Sequence, residues 1–292
     1  MTSAELRTLC FFEVLGIAPT SAELFLTQDV LPGDDTVRED AVAQVPISSL
    51  RGRMARTEVS EQLVSEIESR DFFQSRKHRR AACLARFFSW IPGIRFVALA
   101  NTTAFGNARD GGDLDFLMIT RAHMLWTVRL FAVLPLRVLR LTPRGGNERD
   151  AACLSYFIAD SALNLSSHQI DADDPYFRYW FLSLVPLVDD GIGEQFWNSN
   201  AWIRTRHVQA KKFETAPELF RRPHGPRVSC TWLEPVARWI QQKKFPSVIR
   251  EEMNRGTSVI VNDEVLKFHV EDGRIAYRER YRALCRVCGI SS

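Results

Sequence analysis

The sequence predicts an α+β protein. A mixed sheet flanked by helices occupies residues 71–170, a helical or winged-helix-like module precedes it over 1–70, and a mainly helical region follows over 171–292. Three observations carry this reading. Apolar residues recur at helical spacing through most of the chain. That period breaks at IRFVALA (94–100) and DLDFLMIT (113–120), continuous apolar runs joined by a Gly-rich polar turn, as in buried strands. A similar run, ACLSYFIA (152–159), follows after a helix-length segment.

The chain of 292 residues has room for two domains and a small third. Its 46% hydrophobic and 25% charged residues place it in the globular class, and 11% aromatic content points to filled cores. A net charge of +3 is too small to imply a nucleic-acid partner by itself. MTSAELRTLCFFEVLGIAP has no basic lead, and Glu5 and Glu13 interrupt it, so it does not read as a signal peptide. MLWTVRLFAVLPLRVLRL is broken by Arg129, Pro135, Arg137 and Arg140, which argues against a membrane span. A buried helix with its basic residues outward is favoured over a helix lying on a membrane surface. Six cysteines without secretory context read as the reduced thiols of a cytoplasmic protein.

Residues 4–15 and 20–28 have helical spacing, split by Gly16 and Pro19, and VPISSLRGRMARTEVS reads as a short extended pair. Residues 60–91 form one long helix or two stacked ones, ending before Pro92-Gly93. They carry the cluster SRKHRR, read as a solvated face, with phosphate or nucleic-acid contact as the alternative. After the first two strands a helix spans about 121–141, and then comes the third strand. Beyond Asp171 the helical pattern returns in PYFRYWFLSLVPLV, EQFWNSNAWIRTRHVQAKKFE and WLEPVARWIQQ; the tail mixes a short apolar run with a final helix.

The segment NTTAFGNARDGGDLDFLMIT carries the chemistry. In a strand, residues two apart share a face, so Asp113 and Asp115 lie together while Leu114 and Phe116 point to the core. Adjacent carboxylates repel unless a cation neutralises them, and Asp pairs hold Mg²⁺ jointly with substrate phosphates. Two such ions about 3.5–4 Å apart would polarise both sides of a phosphoryl or nucleotidyl transfer. Upstream, Asn101-Thr102-Thr103 opens a short helix whose free N–H groups and hydroxyls suit a phosphate. Asp-Leu-Asp alone is common by chance; the whole succession of strand, small polar turn, spacer and second strand is more specific.

This succession resembles the DNA polymerase β-like nucleotidyltransferase superfamily, whose motif is an apolar residue, Gly, then Gly or Ser, roughly ten residues, and Asp-x-Asp or Asp-x-Glu between apolar positions. It is similar, more narrowly, to an uncharacterised bacterial group of nucleotidyltransferase-domain proteins with a helical or winged-helix N-terminal segment and a helical C-terminal part. CLSYFIAD, NSNAW and LKFHVEDGR extend the likeness from about residue 5 to residue 285. The resemblance implies a small nucleotidyltransferase sheet in which Asp113 and Asp115 bind Mg²⁺, two ions in all, and act catalytically. It places Thr102 at the phosphate-contacting Ser and Asn101 at the family's Gly; beside them the residues themselves offer Thr103 at the helix start and Arg109 in the turn as further nucleotide contacts, Arg109 also reading as a surface residue. It implies a nucleoside triphosphate, ATP by default, whose nucleoside monophosphate passes to an unidentified acceptor hydroxyl on a small molecule, protein or RNA.

The chain departs from the family pattern twice. Asn101 stands where the family has Gly; Asn tolerates positive φ but its side chain takes up room. The third strand offers Cys153 and Ser155 but no acid; Glu148, Asp150 and Asp160 flank it. These departures support the alternative of a fold-retaining, inactive module that binds a protein or nucleic-acid partner through its N-terminal part. A glycosyltransferase using Asp-x-Asp would need a nucleotide-binding βαβ region upstream, where this chain reads as helical. Among other constellations, Cys285-x-x-Cys288 lacks the second pair zinc requires and reads as core packing. His269 reads as a hydrogen-bonded structural histidine, Arg129 as a surface residue, and PRGGNERD lacks the Lys-Ser/Thr of a P-loop.

Overall fold

The computed structural model describes residues 1–31, 34, 48–50, 52–55, 61–145, 148–213, 220–221 and 229–292. Its centre is a six-stranded mixed sheet of β3 (Ile94–Ala100), β4 (Leu114–Thr120), β5 (Ala152–Ala159), β6 (Val185–Asp189), β8 (Val259–Val261) and β9 (Val265–Phe268), in the order β6-β3-β4-β5-β9-β8. A two-residue strand, β7 (Phe220–Arg221), extends the β6 edge. β4 and β5 run parallel; β3 is antiparallel to both β4 and β6, and β9 is antiparallel to β5 and β8. The parallel pair needs a crossover, supplied by the helix Leu125–Val138.

Each face of the sheet carries a core. Val97, Leu99, Phe116, Met118 and Phe157 pack under Leu84 and Phe88 of the helix Glu61–Ser89 and under Trp126 and Val128 of the crossover. Phe96, Ala98, Leu117, Ile119 and Ile158 pack against Phe177, Trp180 and Phe181 of the helix Pro175–Ser183, and against Phe196 of the helix Gly193–Ser199. Alternation along β3 and β4 thus feeds two cores, which is why these strands read as continuous apolar runs.

In chain order the helices are α1 (Ser3–Val14), α2 (Ser21–Leu26), α3 (Glu61–Ser89), α4 (Asn101–Ala104), α5 (Leu125–Val138), α6 (Pro175–Ser183), α7 (Gly193–Ser199), α8 (Glu234–Lys243), α9 (Ser247–Glu252) and α10 (Arg274–Val287). α1 and α2 each begin with a capping box, Thr2 with Glu5 and Thr20 with Glu23. The expected extended pair is the antiparallel hairpin β1 (Ser48–Leu50) and β2 (Arg53–Ala55). α3 is one continuous helix of 29 residues. The Glu234 carboxylate accepts from the Trp126 and Thr127 backbone N–H groups at 2.8 and 2.9 Å, an anion at the start of α5 that docks α8 there.

α1 packs on α10: Leu6, Cys10 and Phe11 meet Tyr281, Cys285 and Cys288, and Phe11 stacks on Tyr179 of α6 with ring centres 3.8 Å apart. The Cys285/Cys288 pair is core packing, as its spacing suggested. Beside it lies Asp29, fully buried. Its carboxylate accepts from Arg206 Nε at 2.6 Å and Nη2 at 3.0 Å, and from Tyr281 Oη at 3.3 Å; Arg178 Nη2 lies 3.4 Å away.

Three readings are corrected. The helical pattern after Asp171 is interrupted: α6 ends at Ser183, and Val185–Asp189 is the strand β6, paired with β3 on the side away from β4. The region from 171 onward also supplies the β8–β9 hairpin to the same sheet. Arg129 of α5 turns inward, onto Gln241 and Phe268, and Lys77 of the SRKHRR cluster is fully buried.

Candidate functional site

The site assembles where β3 ends. Ala100 pairs with Asp115 on the antiparallel neighbour β4. The next residue, Asn101, takes φ +53°, the left-handed region that Asn tolerates best among residues with a side chain. The chain turns through α4, and the Asn107 N–H closes back on the Thr102 carbonyl at 2.8 Å. Asp113 immediately precedes β4. Leu114 and Phe116 enter the α3–α5 core, so Asp115 projects from the opposite face, half-buried. In the parallel register Asp115 lies beside Cys153 of β5.

One carboxylate oxygen each from Asp113 and Asp115, and Sγ of Cys153, lie within 4.8 Å of one another. Hydrogen bonding from the Asn101 side chain and from the Cys153 thiol favours the charged Asp115 carboxylate, and Asp113 and Asp115 compete for the single thiol proton. Burial, and then the neighbouring Asp113 charge, push the Asp115 carboxyl up to about 7. Asp113 is raised as well, by burial with Glu148 adding. Burial and the two carboxylates drive the Cys153 thiol far up, so it stays an S–H donor. The arrangement is a pair of carboxylates held close without full neutralisation, which a hard cation would relieve.

α3 supplies nearby positive charge. Lys77 Nζ donates to the Gly112 carbonyl at 2.5 Å and to Asp150 at 3.0 Å. Arg76 pairs with Asp110 at 2.5 Å and with Asp150 at 3.1 Å. These contacts pin both ends of the turn leading to Asp113. Arg80 lines a separate cleft with Arg140, Arg144 and Arg149. The SRKHRR cluster is therefore a latch and a cleft wall rather than a uniformly solvated face.

Asn101, Asp113 and Asp115 come together as their spacing implies. Thr102 is exposed on α4 and Arg109 is exposed on the turn. Thr103 is buried at 1% exposure, and its carbonyl accepts from Gln74 at 2.5 Å. Successive helical residues point about 100° apart, so of the two hydroxyls only that of Thr102 reaches the surface. The flanking acids separate clearly. Asp160 lies at the far end of β5, pairing with Arg95 at 2.8 Å. Asp150 is occupied by Lys77 and Arg76. Glu148 is exposed and adds negative potential at Asp113.

Sequence reasoning missed Lys77, whose inward direction follows only from the packing of α3, and Tyr176 of α6, whose hydroxyl is raised by burial, then by Tyr277 and Asp115. His269 is hydrogen-bonded: its Nε2 lies 3.0 Å from Ser155 Oγ. No helix among the described residues is long and apolar enough to cross a membrane. The chain matches no family model, no curated protein and no solved structure.

Proposed function

We propose that the chain is a Mg²⁺-dependent nucleotidyltransferase of the DNA polymerase β-like type, moving a nucleoside monophosphate, AMP from ATP by default, to an acceptor hydroxyl. One observation carries the reading: Asn101, at positive φ directly after β3, adjoins a close pair of carboxylates at the start of β4, Asp113 and Asp115. The donor set fits one hard cation through two carboxylates; the protonated Cys153 thiol is a poor third ligand for Mg²⁺. A second ion would need substrate phosphates, with Glu148 an exposed acid whose charge acts on Asp113. A bound divalent cation supplies charge neutralisation at the transferring phosphoryl group.

The chain's own residues would do the rest. Asn101 fixes the Asp115 carboxylate by donating to it, the α4 turn offers Thr102 to phosphate, and Lys77 with Arg76 holds the Asp113 turn against the carboxylate repulsion. The neighbouring four-arginine cleft suits a polyanionic substrate.

A second reading is a fold-retaining binding module without turnover, its N-terminal helices and hairpin serving as a winged-helix-like partner surface. Cys153, in place of an acid beside Asp115, favours it. Calorimetry with ATP, GTP, CTP and UTP, with and without Mg²⁺, on the wild type and on Asp113→Ala/Asp115→Ala separates the two. Binding that requires both metal and carboxylates supports the enzyme, and the preferred base names the donor. A folded wild type that binds none of the four leaves the module.

A further inference from the structure

A cavity of about 310 Å³ lies between α5, the first half of β5, α8 and α9. Its origin is a mismatch in strand length. β9 pairs only with Tyr156–Ile158 of β5, so residues 152–155 run on without it, and α8 and α9 close over the gap. The walls are mostly apolar, with Val133, Leu154, Phe245, Ile249 and Phe268 among them.

Three cations line this apolar space, Arg129, Arg137 and Lys244, and no acidic residue is among its described lining. Arg129 is the unusual one. Its Nη1 donates to Gln241 Oε1 at 2.6 Å, and its guanidinium lies over the Phe268 ring at 4.6 Å. Gln241 is itself held by the Trp126 and Ala237 carbonyls at 2.8 and 3.0 Å, which orients its oxygen toward Arg129. Arg129 Nε is sealed from solvent and finds no acceptor among the described residues. Among the described residues no carboxylate pairs with it, and burial with the Arg137 charge lowers its pKa to about 10. A guanidinium held in an apolar wall within the field of a second cation is costly unless an anion joins it. Arg137 and Lys244 are exposed, so the cations run from the mouth inward.

We infer that this cavity binds an amphipathic organic anion: an oxyanion, a carboxylate in the first instance, received by Arg129 and Arg137, on an apolar body that fills the space against Phe245 and Ile249. The volume is at the small end for ligand pockets, which suits a medium-chain fatty acid or a compact aromatic acid. Nothing in this inference depends on the nucleotidyl reading. The guanidinium fork accepts carboxylate and phosphate alike, so the test must separate head group from body.

Sodium decanoate below its micelle concentration, 1-decanol and inorganic phosphate would be titrated into the intact chain by calorimetry, with thermal unfolding in parallel. Decanoate should bind saturably and raise Tm, with decanol and phosphate each at least about tenfold weaker. Arg129→Met should weaken decanoate by about tenfold or more and leave decanol unchanged. Val133→Trp, which fills the cavity with Arg129 intact, should abolish decanoate binding and serves if the first variant does not fold. Failure of decanoate to bind the folded wild type, equal binding by decanol, phosphate binding as tightly as decanoate, or undiminished decanoate binding to either folded variant would overturn the inference.

Discussion

Replacing Cys153 by Asp tests whether the carboxylate pair is a cation site. Cys153 lies beside Asp115 in the β4–β5 register, with Sγ and the two carboxylate oxygens within 4.8 Å. A third carboxylate there meets two like charges. At about 4.8 Å and an effective permittivity of ~20, each pair repels by roughly 3.5 kcal/mol. Proton uptake caps the sum. Keeping one acid protonated at pH 7, against an ordinary pKa of about 3.9, costs about 4 kcal/mol. Cys153→Asp should therefore lose about 3–4 kcal/mol of unfolding free energy in EDTA. A bound cation offsets most of this, because ligand at about 100 times its Kd adds about 2.7 kcal/mol to the folded state. Urea unfolding of wild type and variant, in EDTA and in millimolar MgCl₂, reads both quantities. A variant as stable as wild type in EDTA would refute the electrostatic argument, and a destabilised variant that Mg²⁺ does not rescue would refute the cation site.

Asp29→Asn should cost about 3–5 kcal/mol, because it leaves Arg178 and Arg206 without their buried carboxylate; a loss under about 1 kcal/mol by urea unfolding would contradict that role. Burial opposes the Asp29 carboxylate, and His207, Arg178 and Arg206 outweigh it, so its pKa falls. Its contribution is present above the ordinary carboxylate range and is lost as pH drops toward the depressed folded value, a loss the Asn variant should not show. Burial holds His168 and His207 at about 4 and His269 at about 3, with Lys267 adding to the shifts of His168 and His269. From about pH 6.5 downward the unfolded chain takes up these protons first, so stability should fall by up to about 2 kcal/mol per histidine at pH 5. Urea midpoints unchanged between pH 7 and pH 5 would show that these imidazoles are not held neutral.

The three strands β3, β4 and β5 were legible because strands covered on both faces read as apolar runs between turn residues. β6 was not. VPLV continues the apolar character of α6 without a stop signal, and a short apolar run does not disclose its period. Pro186 also argues against a strand, yet it sits opposite Ala98 at a register shift, where a missing N–H is tolerated. Asn101, Asp113 and Asp115 could be found from spacing alone, since a strand end and a period of two define their relation. The position of Cys153 beside Asp115 depends on strand register, which no local pattern encodes. Lys77 and Arg129 misled for a related reason: a charged residue on a helix reads as outward until the partner that receives it, Asp150 or Gln241, is placed in space.

The packing of α1 against α10 has a consequence for biosynthesis. Cys10 and Cys288 are 3.7 Å apart at sulfur but separated by 278 positions in the chain. A ribosome adding about 5–20 residues per second needs roughly 15–55 s to cover that interval. Throughout it Leu6, Cys10 and Phe11 have no α10 to cover them. Their apolar surface stays without that cover for the interval, and this layer of the core closes only when a helix made some 278 positions later has emerged.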